Sequence, residues 1–130
     1  MEDKDYVSHE VAVLLKEKGF NQYCDKRYVD KIEGSEREEW DDENLTYYTV
    51  TDTIEYPEPS LYQAQKWLRE KKNMHIAINR EIDYKTKEEY WSFEIGSVNG
   101  FHKSLMSSID KFETYEEALN EGIKILLKFI

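Results

Sequence analysis

The side chains in this sequence that could act as nucleophiles, general bases or metal ligands are few. Cys24 has no second cysteine at CxxC spacing, and none of His9, His75 and His102 has a second His or Cys at metal-binding spacing. Zinc sites use closely spaced ligands, so we predict no metal. A Cys–His nucleophilic pair requires that the fold bring the two side chains together. We predict no catalytic residue and no cofactor, and keep a small enzyme built on Cys24 and a histidine as the competing hypothesis.

The acidic side chains are concentrated in one stretch, EGSEREEWDDE (residues 33–43), which holds seven acids and one base. The stretch lacks the alternating DxDxDG pattern of a calcium loop. It has no hydrophobic period and many like charges, so it predicts a loop over about residues 33–44. Its charge suits a basic partner, with Trp40 as an anchor. We predict partner-binding residues in this stretch, in the strand predicted after it and on the second helix: Trp40, Asp41, Asp42, Glu43, Tyr47, Tyr62 and Lys66.

The second helix is predicted to begin at Ser60, within the stretch EPSLYQAQKWLREKKN (residues 58–73). This stretch is rich in bases although the chain has a formal net charge of -10. Most of these bases lie in its last turn, where the helix dipole favours positive charge. Ser60 and Gln63 have the spacing of a capping box at its start. The pattern therefore predicts a structural helix, with Tyr62 and Lys66 exposed. Its predicted buried side consists of Leu61, Ala64, Trp67 and Leu68.

Hydrophobic periodicity and turn signals predict the remaining elements. Helices are predicted over residues 9–18 and from a Thr114–Glu117 capping box to the end, and strands over 20–29, 45–55, 74–84, 90–98 and from 101. Gly122 interrupts the apolar stripe of the last helix, which predicts close contact with the sheet. The predicted fold is a single α+β domain over residues 1–130. Its antiparallel sheet carries helices mainly on one face, in the order α-β-β-α-β-β-β-α.

The AsnGly pair at residues 99–100 leaves the register of the last hairpin to be decided. A two-residue turn would place Phe101 on the face opposite the apolar side chains of the preceding strand. A three-residue loop over 98–100 pairs Ser97 with Phe101 and keeps Phe101 and Leu105 on the apolar face. Because a slip of one residue flips every side chain, we predict the three-residue loop, with Gly100 left-handed.

Length and composition narrow the class of protein. The chain has 130 residues, of which 39% are apolar and 35% charged, as in one small globular domain. Its acidity disfavours binding to nucleic acid or anionic lipid, which need a positive surface. The polar first residues do not resemble a signal peptide, and no apolar run approaches the roughly 18 residues of a membrane span. With a single cysteine, we predict a cytoplasmic location and no membrane association.

From residue 58 onward, the predicted order of helix, three strands and helix resembles the topology of double-stranded RNA-binding domains. In that family the last helix starts with a lysine-rich cluster that contacts phosphates. The matching positions, residues 114–118, include Glu116 and Glu117. Two carboxylates would repel phosphate there, so the resemblance implies an architecture and disfavours RNA binding.

A second resemblance lies in the sequence itself. It rests on PEPSLYQAQKWLREK (57–71), YWSFEI (90–95), YEEALNEGI (115–123) and LLKEKGFN (14–21). These segments resemble a family of small uncharacterised proteins encoded in the genomes and prophages of Bacteroides-type gut bacteria. The resemblance implies an origin, and it assigns no activity, cofactor or catalytic residue to any position here.

The sequence leaves several functions open. The leading hypothesis is a noncatalytic protein-interaction module that binds another protein, which its acidity predicts to be basic. An alternative is an acidic mimic of nucleic acid, in which residues 33–43 imitate phosphates and inhibit a basic protein. Nucleic-acid binding through the second helix and a small enzyme based on Cys24 are further alternatives.

Overall fold

The computed structural model describes residues 3–97, 103–107 and 110–130. After a short 3-10 turn at Asp3–Asp5, these residues form three α-helices and seven β-strands. The helices are α1 (His9–Glu17), α2 (Leu61–Lys71) and α3 (Tyr115–Phe129). The strands are β1 (Arg27–Lys31), β2 (Arg37–Asp41), β3 (Thr46–Val50), β4 (Thr53–Pro57), β5 (Met74–Ile82), β6 (Glu89–Ser97) and β7 (Lys103–Ser107). The predicted α+β class is therefore confirmed.

The order of elements follows the prediction from α2 onward and differs before it. Between α1 and α2 the chain forms four strands, not two. The strand predicted over residues 20–29 begins only at Arg27, and the one predicted over 45–55 is divided at residues 51–52 into β3 and β4. The strands are antiparallel as predicted, but they form three separate sheets: β1-β4, β2-β3 and β5-β6-β7.

The prediction of a loop over residues 33–44 is wrong, because β2 lies inside this acidic stretch. β2 pairs with β3, from Arg37 opposite Val50 to Asp41 opposite Thr46. Successive side chains of a strand point to opposite faces, so pairing separates neighbouring acids such as Glu38 and Glu39. The sequence shows these acids as neighbours and does not show that their side chains point to opposite faces. The loop prediction is wrong for this reason.

The hydrophobic core is formed mainly by the three helices and one face of the three-stranded sheet. Ile76 of β5 and Phe93 and Ile95 of β6 are buried on one face of that sheet. The predicted close contact at Gly122 of α3 is confirmed, because a Cβ there would lie 3.1 Å from Ile76 Cγ2 and 3.3 Å from Phe93 Cγ. α2 packs on β5 and α3, and α1 packs on α3 and β4. The buried face of α2 is the predicted set: Leu61, Ala64, Trp67 and Leu68.

The helices begin where the sequence predicts. The side-chain oxygens of Ser8, Ser60 and Thr114 accept hydrogen bonds from the backbone amides three residues later. Each bond satisfies one backbone donor that the first helical turn leaves without an intrahelical partner. These caps fix the start of each helix independently of the sheets.

The register of the last hairpin differs from the prediction. Ser97 of β6 pairs with Lys103 of β7, not with Phe101, and the ladder has an irregularity between Ile95 and Gly96. The predicted loop at 98–100, with its left-handed Gly100, lies outside the described residues, as does the side chain of Leu105. β6 and β7 are antiparallel neighbours, as the hairpin prediction requires.

Candidate partner-binding arm

The four strands between α1 and α2 form two consecutive antiparallel ladders. The ladder of β1 and β4 ends at Lys31 opposite Thr53, and the backbone amide of Ile32 then donates to the carbonyl of Asp52 at 2.8 Å. Residues 33–36 turn the chain at this point, and the hairpin of β2 and β3 begins beyond them. We call residues 37–50, the β2–β3 hairpin with its turn, the arm, and the β1–β4 ladder the base of the arm.

The base of the arm is attached to α1 and to the segment before it. The Tyr28 hydroxyl donates to the carbonyl of Val7 at 2.8 Å, and Lys16 Nζ donates to the carbonyl of Glu55 at 2.8 Å. His9 Nε2 lies 2.7 Å from Asp30 Oδ2. These contacts hold the base against the helical part of the molecule.

Among the described residues, the arm itself has no comparable support, since β2 and β3 pack mainly against each other. None of its ten strand residues is buried. A two-stranded hairpin alone in water is marginally stable at best, so this arm depends on its own cross-strand contacts. Residues 37–50 carry five acids and one base, and hence a net charge of -4.

Asp41 organises the turn at the tip of the arm. Its Oδ1 accepts hydrogen bonds from the backbone amides of Glu43 at 2.9 Å and Asn44 at 3.3 Å, and its Oδ2 accepts from Asn44 Nδ2 at 2.8 Å. The hydrogen bond from the Asn44 side chain, followed by those from the two amides, lowers the pKa of Asp41 below its ordinary value. Leu45 takes a left-handed conformation, with φ of 52°, and leads the chain back into β3.

Trp40 and Tyr47 face each other across the two strands. Their ring centroids are 4.9 Å apart in an edge-to-face arrangement, and Trp40 Nε1 donates to Asp42 Oδ1 at 2.7 Å. Such ring pairs stabilise by about 0.5–1.5 kcal/mol beyond the area they bury. Both rings remain accessible, since Trp40 is 47% and Tyr47 65% exposed.

The two faces of the arm differ in how their polar groups are used. On one face, Glu39 accepts from the Tyr48 hydroxyl at 3.2 Å and pairs with Arg37 at 3.1 Å, and Arg37 also lies 3.0 Å from Asp52. These carboxylates raise the pKa of Arg37, with Asp52 the larger cause, and Glu39 raises the pKa of Tyr48.

The opposite face carries Trp40 and Tyr47, with Glu38 opposite Thr49 beside them. Glu38 makes no hydrogen bond or ion pair within the described part of the chain. This face therefore presents two aromatic rings and a carboxylate to solvent. We call it the aromatic face.

The structure brings five of the seven predicted partner-binding residues together on the arm: Trp40, Asp41, Asp42, Glu43 and Tyr47. Glu38, Tyr48 and Thr49 share this hairpin and are absent from the predicted set. The signal that could have found them is the sequence DDEN, whose Asp and Asn residues favour a turn, between two segments that each contain an aromatic residue.

The other two predicted residues, Tyr62 and Lys66, lie on α2. Lys66 Nζ is 3.9 Å from Glu70 one turn along the same helix. Tyr62 is exposed and lines a groove of about 550 Å³ with Leu61, Tyr115 and Leu119. Since α2 packs on β5 and α3, these two residues belong to a different part of the molecule from the arm.

In the described part of the chain, no hydrogen bond joins Cys24 to a histidine. Cys24 is buried, its thiol donates a long hydrogen bond of 3.6 Å to the carbonyl of Gln22, and burial raises its pKa. A raised pKa keeps the thiol protonated and weakens it as a nucleophile. His9 contacts the rings of Tyr28 and Tyr56 at the base of the arm. No group of three His, Cys, Asp or Glu residues in the described ranges is arranged to hold a metal ion.

The first turn of α3 carries Glu116 and Glu117, and Thr114 caps it. Their carboxylates lie where the proposed resemblance to double-stranded RNA-binding domains would require bases. The negative charge at this helix start therefore disfavours phosphate binding there. None of the helices in the described segments is long and apolar enough to cross a membrane.

Comparison with known proteins identifies no relative for this chain. No protein-family model matches the sequence, no curated protein is significantly similar to it, and no solved structure is significantly similar to the fold. The resemblances to double-stranded RNA-binding domains and to proteins of Bacteroides-type bacteria remain predictions.

Proposed function

We propose that this protein is a noncatalytic interaction module whose arm binds a positively charged surface of another protein. The observation that carries the proposal is an acidic hairpin that exposes an aromatic pair and packs mainly against itself. The hairpin is marginally stable and its rings are exposed to water, so burying the rings against a partner is energetically favourable. The arm is thus a protruding surface with both an apolar anchor and a net charge.

The chemistry of the aromatic face favours a partner rich in Lys or Arg. A cation over the face of a Trp or Tyr ring gains about 0.5–2 kcal/mol, more when it is desolvated. Asp42 lies beside Trp40 and Glu38 shares the face, so carboxylates flank the rings that a cation would contact. The arm's net charge of -4 also speeds encounter with a basic protein at low salt.

The proposal is tested by neutralising acids that take no part in the hydrogen bonds of Arg37 and Asp41. The variant Glu38→Gln/Asp42→Asn/Glu43→Gln removes three charges and keeps an acceptor for Trp40 Nε1. Its control, Glu17→Gln/Glu70→Gln/Glu113→Gln, removes three exposed acids outside the arm. The probe is a fluorescent peptide with alternating lysines, KVKTKVKT, titrated at several salt concentrations.

We expect the arm variant to bind this peptide at least about tenfold more weakly than wild type at 50 mM salt, the equivalent of about 1.4 kcal/mol. The control variant should lose less than about threefold, and wild-type affinity should fall as salt rises. Equal losses in the two variants would contradict the proposal, because they would reduce the binding to net charge alone. An acidic peptide, EVETEVET, should not bind any of the proteins.

The nucleic-acid-mimic hypothesis is a narrower form of the same proposal. It requires a basic partner that binds DNA or RNA, and it predicts that duplex DNA displaces the protein from that partner.

We propose a cytoplasmic setting for this binding, which the single cysteine supports.

A further inference from the structure

The two edges of the arm differ in sequence. β2 and β3 form a two-stranded sheet, so each strand has one edge without a neighbouring strand in the described part of the chain. Unpaired backbone amides and carbonyls on such an edge are a template for another strand. Which edge is open to pairing depends on the side chains that protect it.

β2, with the sequence REEWD, carries four charges in five residues, whereas β3, with the sequence TYYTV, carries none. Charges and prolines are the usual protection of an exposed edge, and β3 has neither. Thr, Tyr and Val also have high preferences for extended structure. The edge of β3 is therefore the one suited to accept a further strand.

The arm's own charge opposes pairing between two copies of the protein. Strands pair about 4.8 Å apart, which would bring two segments of net charge -4 within a Debye length of each other at 0.1 M salt. An extended segment that bears lysines would instead be attracted by the negative charge of the arm. On such a segment, side chains on one face would lie beside Tyr47 and those on the other beside Tyr48, because these neighbours point to opposite faces.

We propose that β3 binds an extended, basic segment of a partner protein as a third strand of the arm. This inference rests on the proposed function and adds the mode of binding. Backbone hydrogen bonds along the edge supply affinity, and the carboxylates of β2 and of the tip select a basic segment over a second copy. The third strand also gives the marginal hairpin the support that the described fold does not provide.

The test uses two N-methylated forms of the KVKTKVKT peptide. In each form the methyl groups block alternate amides, so that one edge of the extended peptide loses its donors. Strand addition uses a single edge, so one form should lose at least about tenfold in affinity and the other less than about threefold. Equal affinities for both forms and the parent peptide would overturn strand addition while leaving charge-driven binding intact. No binding of the parent peptide at low salt would contradict both proposals.

A second measurement tests the same edge in the protein. Hydrogen exchange of the amides of residues 46–50 should slow when the peptide binds, and exchange in β2 should change less. Acceleration or no change in β3 would contradict the proposal. A peptide bound only through its side chains would leave these amides as exposed as before.

The role of charge against self-pairing is tested with the variant Glu38→Gln/Asp42→Asn/Glu43→Gln. In sedimentation at 0.15 M salt we expect this variant to associate more strongly than wild type. Adding Thr49→Lys, which places a charge on β3, should reverse the gain. An unchanged association constant in the triple variant would overturn the role that we assign to the arm's charge.

Discussion

Two antiparallel hairpins of this protein follow the same pairing rules, but a helix covers one of them and the other is exposed to solvent. In the hairpin of β5 and β6, Ile76, Phe93 and Ile95 are buried, and α3 packs on both strands. In the arm, Trp40 and Tyr47 occupy a similar cross-strand position and remain exposed. The difference is the helix, and it teaches that an apolar pair on a strand marks a core only when another element covers it. Where no element does, the same pair is available to a partner.

The largest effect on the free energy of unfolding should come from α3, the helix that covers the hairpin of β5 and β6. Ile123 of α3 is fully buried in the core. Replacing it with Ala removes buried methyl groups and leaves a cavity, which lowers the free energy of unfolding by about 2–5 kcal/mol. Urea denaturation followed by circular dichroism measures this loss. A loss below about 1 kcal/mol would mean that α3 does not hold the sheet as described.

A smaller loss in the free energy of unfolding is expected at Gly122, where α3 approaches the sheet closely. At Gly122, a Cβ would already lie 3.1 Å from Ile76 Cγ2, so the two further methyl groups of Gly122→Val must displace Ile76 or Phe93. Overpacking of this kind lowers the free energy of unfolding by about 1–3 kcal/mol. Thermal unfolding of Gly122→Val beside the control Gly19→Ala, which meets no atom within 4 Å but has positive φ, separates crowding from backbone strain. A fully stable Gly122→Val protein would contradict the close approach.

In the arm, replacing a large side chain with Ala should leave the stability of the rest of the molecule unchanged. Tyr47→Ala removes one ring of the edge-to-face pair, whose contribution of about 0.5–1.5 kcal/mol is confined to the hairpin. Global unfolding in urea should therefore shift by less than about 0.5 kcal/mol, while amide exchange in residues 37–50 accelerates. A global loss like that of Ile123→Ala would show that the arm belongs to the core.

The smallest effect is a pH dependence at the tip of the arm. Asp41 has a pKa below its ordinary value because Asn44 and the amide of Glu43 bond its carboxylate. Its stabilisation of the turn is therefore complete above the ordinary value of 3.8 and is lost as the pH falls through the lower, folded value. The amide exchange protection of Glu43 and Asn44, measured by NMR from pH 6 to pH 2, should follow this course. The Asp41→Asn variant should lose this pH dependence.

Features that depend on neighbouring residues in the sequence were predictable. The caps at Ser60 and Thr114 and the buried side of α2 follow from spacing along one helix, and the structure confirms them. The contact at Gly122 was predictable too, since a glycine within the apolar stripe of a helix favours the close approach of a neighbouring element. Each of these predictions needed only residues within a few turns of one another.

Features that depend on distant pairing were not predictable in the same way. The like charges of residues 37–41 predict a loop, because these acids repel one another along the sequence. The pairing of Trp40 with Tyr47 joins residues of two strands, so it is not visible in this local pattern. The pair of His9 with Asp30 joins a helix to a strand that begins ten residues after that helix ends, and no local pattern marks it. The sequence predicts Tyr62 and Lys66 as partner-binding residues because they are exposed on their helix, and it does not show that this helix packs on β5 and α3, away from the arm.

The most direct test of the arm's role replaces the arm with a short turn and measures the affinity of the remaining protein for the basic peptide. Ile32 and Asp52 lie opposite each other at the end of the base, so an Asn-Gly turn in place of residues 33–51 should close the ladder as a two-residue hairpin. After cooperative unfolding has been verified, the affinity of this variant for the KVKTKVKT peptide is measured by calorimetry. We predict a folded protein that has lost at least about tenfold in affinity. A folded variant that binds the peptide as tightly as wild type would contradict the claim that the arm is the binding element.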